Sequence, residues 1–392
     1  MNKVPTRPRR LLLCLDGVPH KLIEAAKTRG LFDGFGTPAR LLSPFPTMTN
    51  VALSAMLGAT PPAGYESLYF DRTAGELRGG IRKYIGRRTP DKIPSSYMDD
   101  LDYQEPLPFE FLIYLAPEKV WRADMRRFRE SFRAAPQTRD YFAFLKATDG
   151  LLHAQGPDRL SVALESLDKI LREIQDYCGR ETEIVMFSDH GMNLEENRRV
   201  DLKSTLARRG FQVVIPAFGL CSYVAVYCRD GQQIPEAARA IVEITGVDFA
   251  VYKDADEVVL ESDRGQARIQ SQNDNYKYLS VSGDPLELNS FASGFATDAE
   301  WFGRTAGHRY PDALANIYKS LFTTRVKYTA DILVSLKDGY YYGWSPFGRF
   351  VRLAATHGNA LQSSSNAFVM STHRQFPTFV RADDAKSLLI CG

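Results

Sequence analysis

The most constraining stretch of this chain is Glu183-Ile184-Val185-Met186-Phe187-Ser188-Asp189-His190-Gly191-Met192. An apolar, β-like run leads straight into adjacent Asp and His side chains, and a glycine then lets the backbone turn. An aspartate and an imidazole side by side at the end of a buried strand are costly to leave unpaired. A metal ion removes that cost, and O/N donors of this kind suit a divalent first-row ion such as zinc. Other segments of the chain then have to supply the remaining ligands.

Two further apolar runs end in an aspartate. Leu11 to Leu15 reads as a strand covered on both faces and stops at Asp16-Gly17. Tyr141 to Thr148 is strand-like and stops at Asp149, with His153 four residues later and Gly156-Pro157 beyond. Ala355-Thr356-His357-Gly358 places a further histidine in a loop after an apolar run. Helical patterns separate these runs, at about residues 21–29, 158–177 and 201–209, the first and last stopped by Gly30 and Gly210. Ligands in open α/β sheets bind at the carboxyl ends of strands, which is where the three aspartates are expected. Ser43-Pro44-Phe45-Pro46-Thr47-Met48-Thr49-Asn50 reads as a proline-set loop before a small-residue helix over 51–58. Thr49 or Asn50 is expected at its N-cap, where free N–H groups and the helix dipole attract an anion.

Two segments interrupt this pattern. Residues 65–136 contain Gly79-Gly80, Arg87-Arg88-Thr89-Pro90 and further prolines, followed by a basic amphipathic helix over 117–133. They read as an inserted cap, whose arginines form either a solvated helix face or an anion-attracting lid. Residues 211–292 read as a second, smaller insertion with β character and a hairpin turn at Asp263-Arg264-Gly265. Residues 330–336 read as one more core strand.

Bulk properties narrow the class. The chain has 392 residues, 44% hydrophobic and 24% charged, so it folds, as one large α/β domain with insertions or as two coupled domains. A net charge of +2 gives no case for a nucleic-acid polymer as partner. The five cysteines, Cys14, Cys178, Cys221, Cys228 and Cys391, are odd in number and lack CxxC spacing. That argues against a disulfide framework or a thiolate zinc site and suits a reducing cytoplasm. The basic N-terminus, residues 1–10, precedes an apolar run too short for a signal h-region or a membrane span. The expectation is a cytoplasmic protein with no membrane span.

Each motif alone has an ordinary explanation. A single Asp after a strand is commonly a turn former, and a His beside Gly is commonly a loop residue. Three strand-end carboxylates, three placed histidines and a hydroxyl at a helix start have no common structural cause. Taken in order, Asp16-Gly17, Pro46-Thr47-Met48-Thr49, Asp149-x-x-x-His153-x-x-Gly156, Ser188-Asp189-His190-Gly191-Met192 and Thr356-His357-Gly358 resemble the alkaline phosphatase superfamily. Within it the chain resembles the nucleotide pyrophosphatase/phosphodiesterase branch and its bacterial relatives. The resemblance covers about residues 10–64 and 141–210 and the C-terminal histidine segment, and leaves out 65–136.

That resemblance implies an alkaline-phosphatase-like α/β core, a mostly parallel sheet with helices on both faces. It implies two divalent metal ions, usually zinc and in some branches manganese. Asp149, His153 and His357 would hold one; Asp16, Asp189 and His190 would hold the other, with the Thr49 hydroxyl as a further metal ligand. Thr49 would be the nucleophile, between metal and substrate, in preference to Thr47. Where such relatives carry an Asn three residues after the nucleophile this chain has Ala52, so Asn50 beside Thr49, or an arginine or lysine from the cap, would meet a phosphate oxygen. The implied activity is hydrolysis of phosphodiester or pyrophosphate bonds in a small phosphorylated substrate, through a phospho-threonine. The alternatives are a phosphomonoesterase, a metal-dependent phosphomutase, or a non-catalytic member that binds a phosphorylated ligand.

Overall fold

The computed structural model describes residues 10–80, 96–104, 106, 112, 115–136, 139–291, 294–323, 325–343 and 353–389. The basic N-terminal residues 1–9, the Arg87-Arg88-Thr89-Pro90 stretch and Cys391 lie outside the described residues.

A seven-stranded sheet forms the frame. In chain order its strands are β1 (Leu11–Leu15), β2 (Ala39–Leu42), β3 (Tyr103–Gln104), β4 (Tyr141–Leu145), β5 (Ile184–Ser188), β6 (Asn366–Ser371) and β7 (Phe379–Arg381). They lie in the order β7-β2-β6-β5-β1-β4-β3. All pairs are parallel except those of β6 with β2 and β5. β1, at the centre, is buried on both faces, as its unbroken apolar run requires. Leu11, Leu13 and Leu15 point to one face, where α1 (His20–Thr28), α3 (Pro117–Ala134), α4 (Ala147–Gln155) and α5 (Pro157–Cys178) pack. Leu12 and Cys14 point to the other, against α2 (Thr49–Leu57). The chain is thus a mixed α/β protein with a mostly parallel central sheet and helices on both faces.

A second sheet is antiparallel and has eight strands, which run from Val213–Val214 at one edge to Ala296–Thr297 at the other. The hairpin at Asp263-Arg264 joins Glu257–Ser262 to Gly265–Gln272. Six of these strands fall within 211–292, and the sheet takes its other two, Ala296–Thr297 and Ile332–Leu336, from beyond that segment. The strand expected in the core over 330–336 is Ile332–Leu336, which lies inside this second sheet, between Val247–Asp254 and Tyr223–Cys228. Short apolar runs do not disclose which sheet they join.

The expected cap, 65–136, is in part core. β3 extends the central sheet beside β4. The basic helix α3 buries Trp121, Met125, Phe128 and Phe132 in the main core, while Arg122 and Arg126 face solvent. Its arginines line a solvated face: Arg122 pairs with Glu118, and Arg129 with Glu173 on α5. Among the described residues, no helix is long and apolar enough to cross a membrane.

Candidate metal centre

The strand register brings the site together. Leu15 of β1 lies level with Leu145 of β4 and Ser188 of β5, so Asp16 and Asp189 leave the sheet at the same carboxyl edge. Asp149 arrives differently from expectation. β4 stops at Leu145, Lys146 takes a helical conformation, and Asp149 sits in the first turn of α4. A carboxylate is favoured there by the helix dipole, and the four-residue spacing sets His153 above it on one helix face. Thr49 also sits one position later than expected. Met48 is the N-cap, in extended conformation, and Thr49 is the first helical residue of α2. The first intrahelical bond runs from Ala52 N to Met48 O at 2.8 Å, so the earlier N–H groups of α2 have no acceptor within the helix.

The seven side chains converge. The Thr49 hydroxyl is 3.3 Å from Asp16 Oδ1 and 3.3 Å from His190 Nε2. His190 Nε2 is 3.5 Å from Asp16 Oδ1 and 3.4 Å from Asp189 Oδ2. Asp149 Oδ1 is 3.3 Å from His153 Nε2 and 3.6 Å from His357 Nε2. The His190 and His357 rings stack with centroids 3.9 Å apart.

Each imidazole is pinned from behind. His153 Nδ1 donates to Ala355 O at 2.8 Å, His190 Nδ1 to Gly191 O at 2.9 Å, and His357 Nδ1 to Thr47 O at 2.8 Å. A carbonyl at Nδ1 takes that proton and leaves Nε2 as the ligand atom, the usual arrangement of a metal-binding histidine. Thr47 is occupied in this support. Its hydroxyl donates to Asn359 O at 3.2 Å and accepts from Gly358 N at 2.9 Å, fixing the loop that carries His357. Glycine is required at position 17. Its φ is +69°, and a Cβ there would lie 2.8 Å from Asp149 Oδ1 and 2.9 Å from Met192 Cε.

The electrostatics suit a cation. Burial raises Asp189 to about 6 against the Gly17 N–H, and the Asp149 charge adds to the rise. Burial also acts upward on Asp149, but His153, His357 and His190 outweigh it and hold that carboxyl below the usual range. Burial lowers His190 to about 4 and His357 to about 3, so both are neutral, as ligands must be. On His153 burial acts downward, but Asp149 beside it leaves the net shift upward. Asp149 Oδ1 and Asp189 Oδ2 are buried without a hydrogen-bond partner among the described residues. Such oxygens are expensive unless something else satisfies them, and the donor set fits a divalent ion.

The ligand atoms of Asp149, His153 and His357 lie within 4.8 Å of one another, and so do those of Asp16, Asp149 and His190. Asp149 belongs to both groups, whereas the resemblance pairs Asp189 with Asp16 and His190. Asp189 stands at the edge of the second group, with Oδ1 accepting from Gly17 N at 3.1 Å. Asn50 is half-buried next to Thr49, and its Oδ1 accepts from the Tyr97 hydroxyl at 3.1 Å. Tyr97 drew no attention in the sequence. It lies in an irregular stretch 47 residues downstream, with no periodic pattern to mark it.

The family model for type I phosphodiesterase/nucleotide pyrophosphatase matches residues 69–284, a little over half of the chain. The chain belongs to this family. The match contains Asp149, His153, Asp189 and His190, and it runs across most of the segment that the motif resemblance left out. Membership places the chain in the alkaline phosphatase superfamily, among phosphoester hydrolases. No curated protein matches the sequence. Phosphonoacetate hydrolase from Sinorhizobium meliloti 1021, solved with phosphonoformate, has a TM-score of 0.57 at 14% identity, covering 98% of this chain and 96% of that one. Human ectonucleotide pyrophosphatase/phosphodiesterase 5 has a TM-score of 0.52 at 13% identity, covering 97% and 93%. Its murine counterpart, solved as an inactive threonine-to-alanine variant with AMP, has a TM-score of 0.52 at 13% identity, covering 97% and 94%. These likenesses speak for the fold.

Proposed function

We propose that this chain is a two-metal phosphodiesterase that cleaves phosphodiester or pyrophosphate bonds of a small phosphorylated substrate, with Thr49 as nucleophile. One observation carries the reading. Three imidazoles, each pinned at Nδ1 by a backbone carbonyl, turn Nε2 toward buried carboxylate oxygens that lack partners, beside a hydroxyl at a helix start. The inactive threonine-to-alanine form of the murine neighbour is in keeping with a threonine nucleophile.

Asp149, His153 and His357 would hold one ion; Asp16, Asp189 and His190, with Asp149 close by, would hold the other. Zinc is the first expectation and manganese the second. Bound ions would lower the pKa of a hydroxyl and balance charge on phosphoryl oxygens. The chain's own part is positioning. The contact with Asp16 Oδ1 orients the Thr49 hydroxyl, and the open N–H groups of α2 face the anion. Thr49 Oγ1, having given up its proton to solvent, forms a bond to phosphorus as the bond to the leaving oxygen breaks, and the leaving oxygen takes up a proton from solvent. Water then cleaves the phospho-threonine, releasing the phosphoryl product and restoring the hydroxyl.

The test is turnover of purified protein, supplied with Zn2+ or Mn2+, on an aryl phosphodiester and an aryl phosphomonoester. The expected result is metal-dependent hydrolysis with the diester preferred, abolished in Thr49→Ala. Hydrolysis that persists in Thr49→Ala removes the nucleophile assignment. A clear monoester preference removes the substrate class.

A further inference from the structure

Thr49 and Asn50 are the first two residues of α2, both half-buried, so Asn50 is the chain neighbour of the residue that would carry the phosphoryl group. An amide presents an acceptor oxygen and a donor nitrogen, and only the nitrogen helps an anion. Which end faces the substrate is therefore decisive. The Tyr97 hydroxyl donates to Asn50 Oδ1 at 3.1 Å, which turns the carbonyl toward the tyrosine and Nδ2 away from it. No acceptor among the described residues takes Nδ2.

Tyr97 is itself well held. It opens a short 3-10 turn, Tyr97–Asp100. Its ring is 8% exposed and packs in the apolar layer with Leu53, Met56, Phe142 and Phe144. A side chain fixed by packing and used to fix another is how a polar contact is pre-organised, at less entropic cost when the ligand arrives.

We propose that Tyr97 is a positioning residue, holding the Asn50 amide so that Nδ2 donates to a phosphoryl oxygen bound at Thr49. The proposal rests on the reading of this site as a phosphoryl-transfer centre. It names the uncharged group that recognises the substrate anion, and it places that group's support in the stretch between α2 and β3.

The test is calorimetric binding of inorganic phosphate to Mn2+-loaded protein, in the wild type, Tyr97→Phe, Asn50→Ala and the double variant. Thermal melting verifies that each is folded. Asn50→Ala is expected to weaken phosphate binding about tenfold, and Tyr97→Phe about three- to tenfold. The double variant should bind no more weakly than Asn50→Ala alone, because the tyrosine acts only through the amide. Wild-type affinity in Tyr97→Phe overturns the proposal, as does a Tyr97→Phe loss that adds in full to that of Asn50→Ala. The latter is the signature of a merely structural role. The phosphodiesterase reading fails separately, on diester hydrolysis that survives Thr49→Ala, while phosphate binding by the four proteins still decides the role of Tyr97.

Discussion

Asp189, at the carboxyl edge of the central sheet, and Asp248, in the second sheet, are both fully buried, yet their surroundings answer the charge in opposite ways. Asp248 Oδ1 accepts from Arg264 Nη2 at 2.9 Å, and the Tyr310 hydroxyl lies 3.1 and 3.0 Å from its two oxygens. Arg264 is tied in turn to Pro285 O at 2.7 Å. That carboxylate finds both its counter-charge and its hydrogen bonds within the chain. Asp189 finds one N–H, from Gly17, and its second oxygen has no partner among the described residues. Asp149, largely buried beside it, also keeps an oxygen without a partner among the described residues. Asp124 on α3 shows a third solution. It is fully buried, Tyr103 donates to Oδ1 at 2.5 Å, and Oδ2 is without a partner among the described residues. Burial, opposed by the Tyr103 hydroxyl and Arg127, raises its pKa to about 7, so a proton can answer its charge. One residue type at the same depth is thus met by an arginine or by a proton and, in the proposed metal centre, would be met by a cation. Only the last case gathers three histidines around it.

The largest effect should come from breaking the chemistry while sparing the carboxylate and imidazole ligands. Thr49→Ala is expected to lower diester turnover by at least about 10³-fold while retaining its metal, read by steady-state rates and metal content together. Next comes the structural aspartate. Asp248→Asn strips Arg264 of its counter-charge and should cost about 3 kcal/mol in urea unfolding, equally with and without metal. Asp189→Asn breaks the comparison in the other direction. In chelator-treated protein it should cost less than about 1 kcal/mol, because the carboxylate there has little to lose. Metal should stabilise the wild type by about 2.7 kcal/mol per bound ion at a hundredfold excess over Kd, and Asp189→Asn should lose most of the share of the ion it would hold. An Asp189→Asn penalty equal to that of Asp248→Asn would place both aspartates in one structural class.

The smallest effect concerns Asp124 and carries a sign. Its folded pKa of about 7 lies above the unfolded value, so the folded state holds the extra proton and stability falls as pH rises toward 7. Asp124→Asn, which keeps an acceptor for Tyr103, should therefore stabilise the protein at pH 8 and show no gain near pH 4. Urea unfolding at the two pH values measures this. A gain that is the same at both contradicts it.

The site was far more legible in the sequence than its surroundings. Asp16, Asp189 and His190 are chain neighbours of fully buried runs, and Asp149 and His153 share a helix face, so short-range pattern alone marked them. Their exact placement was less readable. The apolar character of Tyr141 to Thr148 continues unbroken across the strand-to-helix change at Lys146, so Asp149 looked like a strand end. Pattern also does not record which sheet a strand joins, which misplaced Ile332–Leu336 and disguised β3 and α3 as parts of a cap. Tyr97 was invisible for a related reason. Its role depends on a contact across 47 residues, and a lone tyrosine in an irregular stretch has no periodicity.

The account stands most directly on how Asp149 and Asp189 are answered. Metal content of the purified wild-type protein, after incubation with Zn2+ or Mn2+ and removal of free ions, measures that. About two ions per chain are expected, falling to one or fewer in Asp149→Ala, the carboxylate common to both groups. A wild-type protein that retains no ion under metal-replete conditions would contradict the two-metal centre.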